Sequence, residues 1–255
     1  MMRKVIATGK GGAGKTTVLS ALAVMLAREG RRVIVFDTDP SMNLALTFGI
    51  PYEAMSTITE DKAHIAHDLE EQGLREKGMD IILEHSSVTE DGVRVVVMGA
   101  ILQGGTGCLC SAISIVKLLL SFAEDSGDYD VAVVDSQAGP EVLGRGLASS
   151  FDCNLVVTEP TEKSSEVSRQ VKKLAEDLGV GDTILVVNKA DSEGDVGFTA
   201  QMVGVPPYKS FGIRNDPNVV RADRDGDLLI DRYPDTGAVS DMAGVKAALD
   251  ISLGW

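Results

Sequence analysis

A glycine-rich run near the start of the chain has the spacing of a phosphate-binding loop. Residues Gly9 to Thr16 fit the pattern G-x-x-x-x-G-K-[ST], after an apolar strand-like run and before a stretch of helical periodicity. Glycines let the backbone curl so that several N–H groups point at phosphate oxygens, and the following helix adds the positive end of its dipole. The sequence therefore predicts that a nucleotide binds to Gly11, Gly12, Ala13, Gly14, Lys15, Thr16 and Thr17.

Individual roles follow from the chemistry of the last three of these residues. Lys15 is expected to bridge the β- and γ-phosphates, and the Thr16 hydroxyl is expected to bind Mg²⁺. Thr17 is expected to contact the α-phosphate. The sequence thus predicts a complete binding site for the phosphates and their metal ion within one short segment.

Two carboxylates stand at the ends of strand-like runs. Asp135 ends Val131–Asp135, and we expect this buried run to direct the carboxylate towards Mg²⁺. The glycine-containing loop 136–139 would then lie beside the γ-phosphate and respond to its presence. Asp37 ends Val33–Asp37, where it could support Mg²⁺ through a water molecule or cap the start of a helix.

A pair of cysteines, Cys108 and Cys110, follows a run of glycines and could supply two thiolates. Zn²⁺ and thiolate-bound Ni²⁺ commonly take four donors, so one chain would fall two short. Two chains that meet across a twofold axis would provide all four. Three other interpretations stay open: packed small apolar side chains, a strained redox disulfide, and an iron–sulfur cluster shared between subunits.

Apolar runs that alternate with helical stretches must position these groups. The strand-like runs are Lys4–Thr8, Val33–Asp37, Val95–Met98, Val131–Asp135, Leu155–Thr158 and Ile184–Asn188. Between several of them apolar residues recur at helical spacing, as at Val18, Leu22, Met25 and Leu26. The alternation predicts an α/β fold with a doubly wound, mostly parallel sheet, whose ligands bind beyond the carboxyl ends of the strands.

The chain is expected to form a single domain over residues 1–255, because no internal repeat or long linker divides it. The more polar segment at about 52–92 interrupts the alternation and predicts a helical insertion. The segment Ser192–Pro217 is rich in Gly, Pro and Asp, and it predicts loops.

Charge and composition exclude several classes of function. The net charge is −14 over 255 residues, which argues against a basic nucleic-acid footprint or an anionic-membrane surface. No apolar run approaches the ~20 residues that cross a bilayer, and no signal peptide is seen, so a cytoplasmic location is expected. In a reducing compartment a close cysteine pair is more often a metal or redox site than a structural disulfide.

Lys10 is a second lysine that an ordinary phosphate-binding loop does not require. The string K-G-G-x-G-K-T, from Lys10 to Thr16, resembles the deviant Walker A motif of the MinD/ParA/ArsA ATPases and of the nitrogenase iron protein. The resemblance implies a SIMIBI-type P-loop NTPase that binds ATP and forms a homodimer closed by ATP. It also implies that Lys10 reaches the partner's nucleotide, so Lys10 joins Lys15 among the expected catalytic residues.

The same resemblance extends to two later segments. The string D-T-D-P at 37–40, with Asn43 beyond it, looks like the switch I region of this group. This likeness implies that Asp39 positions or deprotonates the attacking water and that Asn43 belongs to the nucleotide site. Asn188 would contact the adenine base. The string from Asn188 to Asp191 also fits N-K-x-D, the guanine-reading pattern of GTPases, so GTP stays an alternative.

A narrower resemblance includes the cysteine pair. The P-loop, the string G-G-T-G-C-L-C at 104–110 and the strings at 135–141 and 144–146 look like the CooC-type ATPases, which mature nickel-containing carbon monoxide dehydrogenase. The similarity runs over most of the chain. It implies that Ni²⁺ or Zn²⁺ binds between the Cys108 and Cys110 pairs of two protomers, on behalf of a nickel-containing client enzyme.

Two other functions of this group stay open. A partitioning ATPase of the MinD/ParA kind would need a basic DNA or membrane surface, but Thr236–Trp255 carries one lysine, two aspartates and no arginine. An electron-transfer ATPase like the nitrogenase iron protein would need a cluster cysteine near 135–140, where there is none. Gln137 and Pro140 depart from the CooC-type pattern, and the stretch after Val203 matches weakly, which leaves the client open.

Overall fold

The structure, a computed structural model, describes residues 1–71, 74–99, 110–139, 143 and 151–255. In this part the strands are β1 Arg3–Thr8, β2 Val33–Asp37, β3 Ser86–Val88, β4 Arg94–Val97, β5 Val131–Asp135, β6 Cys153–Thr158, β7 Asp182–Ala190 and β8 Ser210–Arg214. The α-helices are α1 Lys15–Arg28, α2 Asn43–Thr47, α3 Lys62–Glu71, α4 Leu74–Glu84, α5 Cys110–Ser126, α6 Glu162–Asp177, α7 Glu193–Val203, α8 Pro217–Asp225, α9 Leu229–Arg232 and α10 Gly237–Leu253, with 3₁₀ turns at Tyr52–Ala54 and Pro207–Lys209. None of the described helices is long and apolar enough to cross a membrane.

The strands form one sheet in the order β3-β4-β2-β5-β1-β6-β7-β8. Neighbouring strands pair in parallel, except that β3 and β4 are antiparallel. Parallel strands end at the same edge, and the register places Asp135 of β5 beside both Ala7 of β1 and Asp37 of β2. The predicted α/β fold with a mostly parallel sheet is confirmed, and the loops after the central strands meet at one edge.

Two apolar layers cover the two faces of the sheet. Along β1, Val5 and Ala7 belong to one layer and Ile6 to the other, because successive side chains point to opposite faces. The first layer includes Leu22 of α1, and the second includes Leu119 of α5. Truncation of either leucine to alanine would cost about 2–5 kcal/mol of stability. Burial on both faces explains why the central strands are continuous apolar runs.

The prediction of loops over Ser192–Pro217 was wrong, because the segment contains α7 and the edge strand β8. A capping box starts α7. The Ser192 hydroxyl accepts a hydrogen bond from the N–H of Asp195, and the Asp195 carboxylate accepts one from the N–H of Ser192. This S-x-x-D pattern was visible in the sequence, and it offsets the low helix propensity of the glycines inside α7.

The segment 52–92 contains the helices α3 and α4. After α4 it also contains a short strand, β3, that the sequence analysis did not predict. Ser86–Val88 forms β3 and pairs with β4 across a tight turn, in which the N–H of Gly92 donates to the carbonyl of Thr89. Two of the three residues of β3 are serines, so the strand has no apolar alternation to reveal it.

Candidate nucleotide-binding site

The loop between β1 and α1 has a backbone conformation that glycine adopts easily and other residues do not. Gly9 has a φ of 140° and Gly14 a φ of 96°. A Cβ atom on Gly9 would stand 2.0 Å from the carbonyl oxygen of Val157, and one on Gly14 would stand 2.2 Å from Asn188 Nδ2. Any side chain at these two positions would therefore push the loop away from β6 or β7.

Helix α1 begins at Lys15 and directs its N-terminus at this loop. No side chain caps the terminus, so its first N–H groups remain available to an anion. The buried Lys15 ammonium donates to the carbonyl oxygens of Gly9 at 3.4 Å and Lys10 at 3.3 Å. Burial lowers the pKa of Lys15, while Asp135 and Asp39 act in the opposite direction. A desolvated cation beside an uncapped helix start is well suited to a polyphosphate.

Thr16 and Asp135 form the part of the site that suits a divalent cation. Thr16 Oγ1 donates to Asp135 Oδ2 at 2.7 Å. The other carboxylate oxygen, Asp135 Oδ1, is buried and has no hydrogen-bond partner among the described residues. Burial raises the pKa of Asp135 to about 6, although Thr16 and Lys15 oppose the shift. Because an unpartnered buried carboxylate oxygen is costly and Mg²⁺ prefers oxygen ligands, these two residues fit the predicted Mg²⁺ site.

Asp37 lies on the neighbouring strand, and its carboxylate caps a helix. One oxygen accepts a hydrogen bond from the backbone N–H of Leu44, in the first turn of α2, and the other accepts one from the N–H of Asp39, in the turn before that helix, each at 3.1 Å. Burial, and after it the charge of Asp135, raises the pKa of Asp37 to about 8. Of the two roles that the sequence left open, the cap is visible in these contacts, and a water-mediated role towards Mg²⁺ stays a prediction.

A cleft of about 650 Å³ lies over the loop and collects most of the predicted residues. Its lining includes Gly11, Gly12, Gly14, Lys15, Thr16, Thr17, Asp39 and Asn43. Ala13, between Gly12 and Gly14 in the loop, is buried. At the cleft, Asp39 Oδ1 accepts hydrogen bonds from the Ser41 N–H at 2.9 Å and from Ser41 Oγ at 2.6 Å. Asp39, the predicted switch I carboxylate, therefore lines the same cleft as the predicted phosphate-binding residues and is held by hydrogen bonds within its own turn.

The end of β7 holds the loop from one side. Asn188 Nδ2 donates to the carbonyl oxygen of Ala13 at 2.8 Å. Lys189, which has a φ of 57°, donates from Nζ to the carbonyl oxygen of Gly12 at 3.0 Å and to Glu159 Oε1 at 2.5 Å. The sequence predicted a contact between Asn188 and the base. The structure shows that this amide also supports the phosphate loop, a role that no local motif revealed.

The opposite wall of the cleft consists of residues that the sequence analysis did not identify as nucleotide ligands. Asp223, Gly226 and Asp227, at the end of α8 and just beyond it, line the cleft. Asp216 caps the start of α8, Pro217 is its first residue, and Gly226 with a φ of 75° ends it. This proline-to-glycine pattern marks a helix in the sequence. It does not show that the helix end returns to the first loop.

The family model of the CobQ/CobB/MinD/ParA nucleotide binding domain matches residues 4–230. The chain belongs to this family. It is a P-loop ATPase. The uncapped start of α1, the buried Lys15 and the Thr16–Asp135 pair are features of this structure that suit a bound nucleotide and Mg²⁺.

Two curated relatives match about three quarters of this chain. CooC, the carbon monoxide dehydrogenase accessory protein of Rhodospirillum rubrum, is 33% identical over 204 residues, which cover 76% of this chain and 77% of CooC. An uncharacterised ATP-binding protein of Methanocaldococcus jannaschii is 33% identical over 202 residues, which cover 74% of this chain and 76% of that protein.

Solved structures share the fold at lower identity. The septum site-determining protein MinD of Pyrococcus horikoshii, complexed with Mg-ADP, superposes with a TM-score of 0.74 at 21% identity over 98% of this chain and 96% of that chain. A ParA family ATPase from Chlorobium tepidum superposes with a TM-score of 0.75 at 17% identity over 97% and 99% of the two chains. The eight-stranded sheet is therefore the MinD/ParA type of P-loop fold.

Lys10, the lysine that distinguishes the deviant motif, lies on the loop of this family member. Its carbonyl oxygen accepts hydrogen bonds from the N–H of Ala13 and from Lys15 Nζ, both at 3.3 Å. Its side chain is half-buried, and no described residue forms an ion pair or hydrogen bond with the ammonium group. The role of Lys10 at a partner's nucleotide stays a prediction.

The predicted metal-binding cysteines lie at the limit of the described structure. Cys108 is outside the described residues, and Cys110 is the first residue of α5, with a side chain that is not described. Within the described residues, no group of three or more His, Cys, Asp or Glu side chains is arranged to hold a metal ion, a statement that does not extend to this pair. Cys153 is buried in β6, and burial raises the pKa of its thiol to about 12, which makes it unreactive.

Proposed function

We propose that the protein is an ATP-driven metallochaperone. ATP closes a homodimer, and the paired C-x-C motifs of its protomers hold one Ni²⁺ or Zn²⁺ ion. Hydrolysis opens the dimer and releases the metal to a nickel-containing client enzyme such as carbon monoxide dehydrogenase. The observation that carries the proposal is the place of Cys110 at the start of α5. This helix connects the parallel strands β4 and β5, so it begins at the carboxyl edge, where the nucleotide cleft also lies.

Two further observations support the proposal. CooC, whose name makes it an accessory protein of carbon monoxide dehydrogenase, is 33% identical to this chain. Lys10 lies on the phosphate loop, and its ammonium group has no partner among the described residues, which suits a contact that forms only when a second protomer arrives. A dimer that closes at this edge would bring two cysteine pairs together and complete four thiolate donors.

Hydrolysis of ATP follows from the groups around the cleft. The N–H groups at the start of α1 and the Lys15 ammonium bind the β- and γ-phosphates. Thr16 and Asp135 would hold Mg²⁺, which when bound would neutralise part of the phosphate charge. A water oxygen bonds to the γ-phosphorus while the bond from phosphorus to the β–γ bridging oxygen breaks, and ADP leaves with that electron pair. Asp39 orients the water and accepts its proton.

The position of Asp191 favours ATP over GTP. In the guanine-reading pattern N-K-x-D the aspartate must face the base, but Asp191 lines a separate groove beside α7 and not the nucleotide cleft. Its backbone N–H donates to Asp195 at 2.8 Å, which fixes the turn before α7. Asn188, whose amide donates to Ala13 of the phosphate loop, is the residue proposed for the adenine base.

The proposal is tested by metal content and molecular mass, measured on the same sample with and without a non-hydrolysable ATP analogue. The wild type should form a dimer with the analogue and retain one Ni²⁺ or Zn²⁺ per dimer after equilibrium dialysis. The double variant Cys108→Ser/Cys110→Ser should dimerise and retain no metal. Cys153→Ala is the matched control, because its thiol is buried far from the helix start, and it should bind metal as the wild type does.

Two results would contradict the proposal. Unchanged metal binding by the Cys108→Ser/Cys110→Ser variant would remove the cysteine pair from the site. Sedimentation with DNA or liposomes that depends on ATP would favour the partitioning alternative. That alternative has little support from α10, where Lys246 is already paired with Glu29 and Asp250.

A further inference from the structure

The wall of the nucleotide cleft opposite the phosphate loop has open space on both sides. A second, polar cleft of about 820 Å³ lies behind it, and Thr47, Gly226 and Asp227 line both clefts. A segment with a cleft in front and another behind has few packing contacts to fix its position. The buried side chains of Leu229 and Ile230 anchor the chain just beyond the wall, in α9.

Arg28, in the last turn of α1, ties this wall to its surroundings. Its Nε and Nη2 atoms donate to the two carboxylate oxygens of Asp91, at 2.8 and 3.3 Å, and Nη2 also donates to Asp231 in α9. Asp91 lies in the turn that joins β3 to β4. One guanidinium therefore links α1, α9 and this turn across the second cleft, which it also lines.

A second ion pair lies in the same region and joins α9 to the wall. Arg232, the last residue of α9, places Nε 3.4 Å from Asp227 Oδ2. Asp227 is itself part of the wall of the nucleotide cleft. A shift of α9 away from Arg28 would therefore move Asp227 together with its partner and would widen the nucleotide cleft.

We propose that Arg28 is a positioning residue for the nucleotide. It holds α9 against the end of α1, and in this way it sets the distance between the wall and the phosphate loop. α1 has 14 residues and thus a length of about 21 Å, so Arg28 stands far from the phosphates that Lys15 binds at the other end. Arg28 therefore affects nucleotide affinity and leaves the chemical step alone. The inference rests on the nucleotide site of the proposed function.

The test is the kinetics of ATP hydrolysis by Arg28→Glu in the full chain. The new carboxylate would face Asp91 and Asp231, and repulsion would release α9. We expect KM for ATP to rise about fivefold to tenfold, with kcat within about twofold of the wild type. The double variant Arg28→Glu/Asp231→Arg restores one opposite-charge pair and should recover part of the lost affinity. A purely structural defect would not produce this split between KM and kcat or its recovery.

Arg32→Glu is the matched control. Arg32 is also an exposed arginine, and it donates hydrogen bonds to both carboxylate oxygens of Asp130, but it lines neither cleft. The inference fails if Arg28→Glu raises KM no more than Arg32→Glu does, or if kcat falls while KM is unchanged. If Arg28→Glu does not fold, Arg28→Lys can replace it, because lysine keeps the positive charge but cannot form the bidentate hydrogen bonds to Asp91. We expect Arg28→Lys to raise KM about twofold to threefold. Absence of ATP hydrolysis by the wild type would instead contradict the hydrolytic step of the proposed function.

Discussion

The two walls of the nucleotide cleft are held by different kinds of interaction. The phosphate-loop wall depends on buried polar contacts over short distances, such as those of Lys15 and the Thr16–Asp135 pair. The α8–α9 wall depends on exposed ion pairs, such as that of Arg28 with Asp231, whose side chains are 43% and 50% exposed. Buried charge is strongly coupled to its surroundings, and exposed pairs are weakly coupled. The first wall should be rigid and intolerant of change, and the second should be adjustable.

The largest effect expected from this comparison is on the first wall. Lys15→Met removes the buried ammonium that faces the phosphates. The buried Asp135 carboxylate then loses a neighbouring cation, which raises its pKa further and lets it take up a proton, so the fold should survive. We expect kcat/KM for ATP to fall by about a hundredfold to a thousandfold, as when one preorganised charge-stabilising group is lost. Steady-state phosphate release measures it. A loss of less than tenfold would show that the buried wall is no more critical than the exposed one.

A second effect concerns the carboxylates concentrated at the first wall. Asp37 has a pKa of about 8 in the folded protein, against an ordinary value of 3.8. The folded state therefore binds this proton more tightly, which stabilises the fold fully below about pH 4 and no longer above about pH 8. Without nucleotide and Mg²⁺, the free energy of unfolding should fall between pH 6 and 8, by up to about 1.4 kcal/mol per pH unit.

Urea unfolding at several pH values measures this slope. Asp37→Asn cannot titrate and should flatten it. Asp130→Asn is the control, because Arg32 holds the pKa of Asp130 at about 2, so this residue does not titrate between pH 6 and 8. If the free energy of unfolding of Asp37→Asn falls with pH as steeply as that of the wild type, the pH dependence originates at another group. Burial would then perturb Asp37 less than its raised pKa indicates.

The smallest effect is expected at the second wall. Asp223 is an exposed carboxylate that faces the phosphate loop, where it suits the hydroxyl groups of a ribose better than phosphate. Asp223→Asn should reduce the preference for ATP over dATP, in kcat/KM, by about twofold to tenfold. Asp227→Asn is the control, because Asp227 is already paired with Arg232. An equal change in both variants would remove the special role of Asp223.

The two walls also differ in how far the sequence could predict them, and the first wall was the predictable one. Lys15, Thr16 and Asp135 were located because each belongs to a short pattern at a strand end, and a parallel sheet brings its strand ends to one edge. The catalytic roles of Lys10 and Asp39 remain predictions, although Asp39 lines the cleft as expected.

The second wall could not be predicted in the same way. The Arg28–Asp231 pair joins residues 203 positions apart. No spacing rule connects two positions at such a separation, and the pairing depends on how α8 and α9 pack against each other and against α1. The edge strand β8 was also missed. Phe211 and Ile213 alternate in it, but the run is only five residues long and has a glycine, a weak strand former, at its centre. Distant packing, and not local propensity, decides these features.

The Asn188 amide packs so closely against the backbone at Gly14 that a substitution at one position constrains which residues the other can accept. A Cβ at Gly14 would stand 2.2 Å from Asn188 Nδ2, and the same amide is bonded to Ala13. A larger residue at either position would displace the other, and a shorter one at 188 would free the Ala13 carbonyl. Descendants of this chain are therefore expected to keep both residues or to exchange both together, although the two positions are far apart in the sequence.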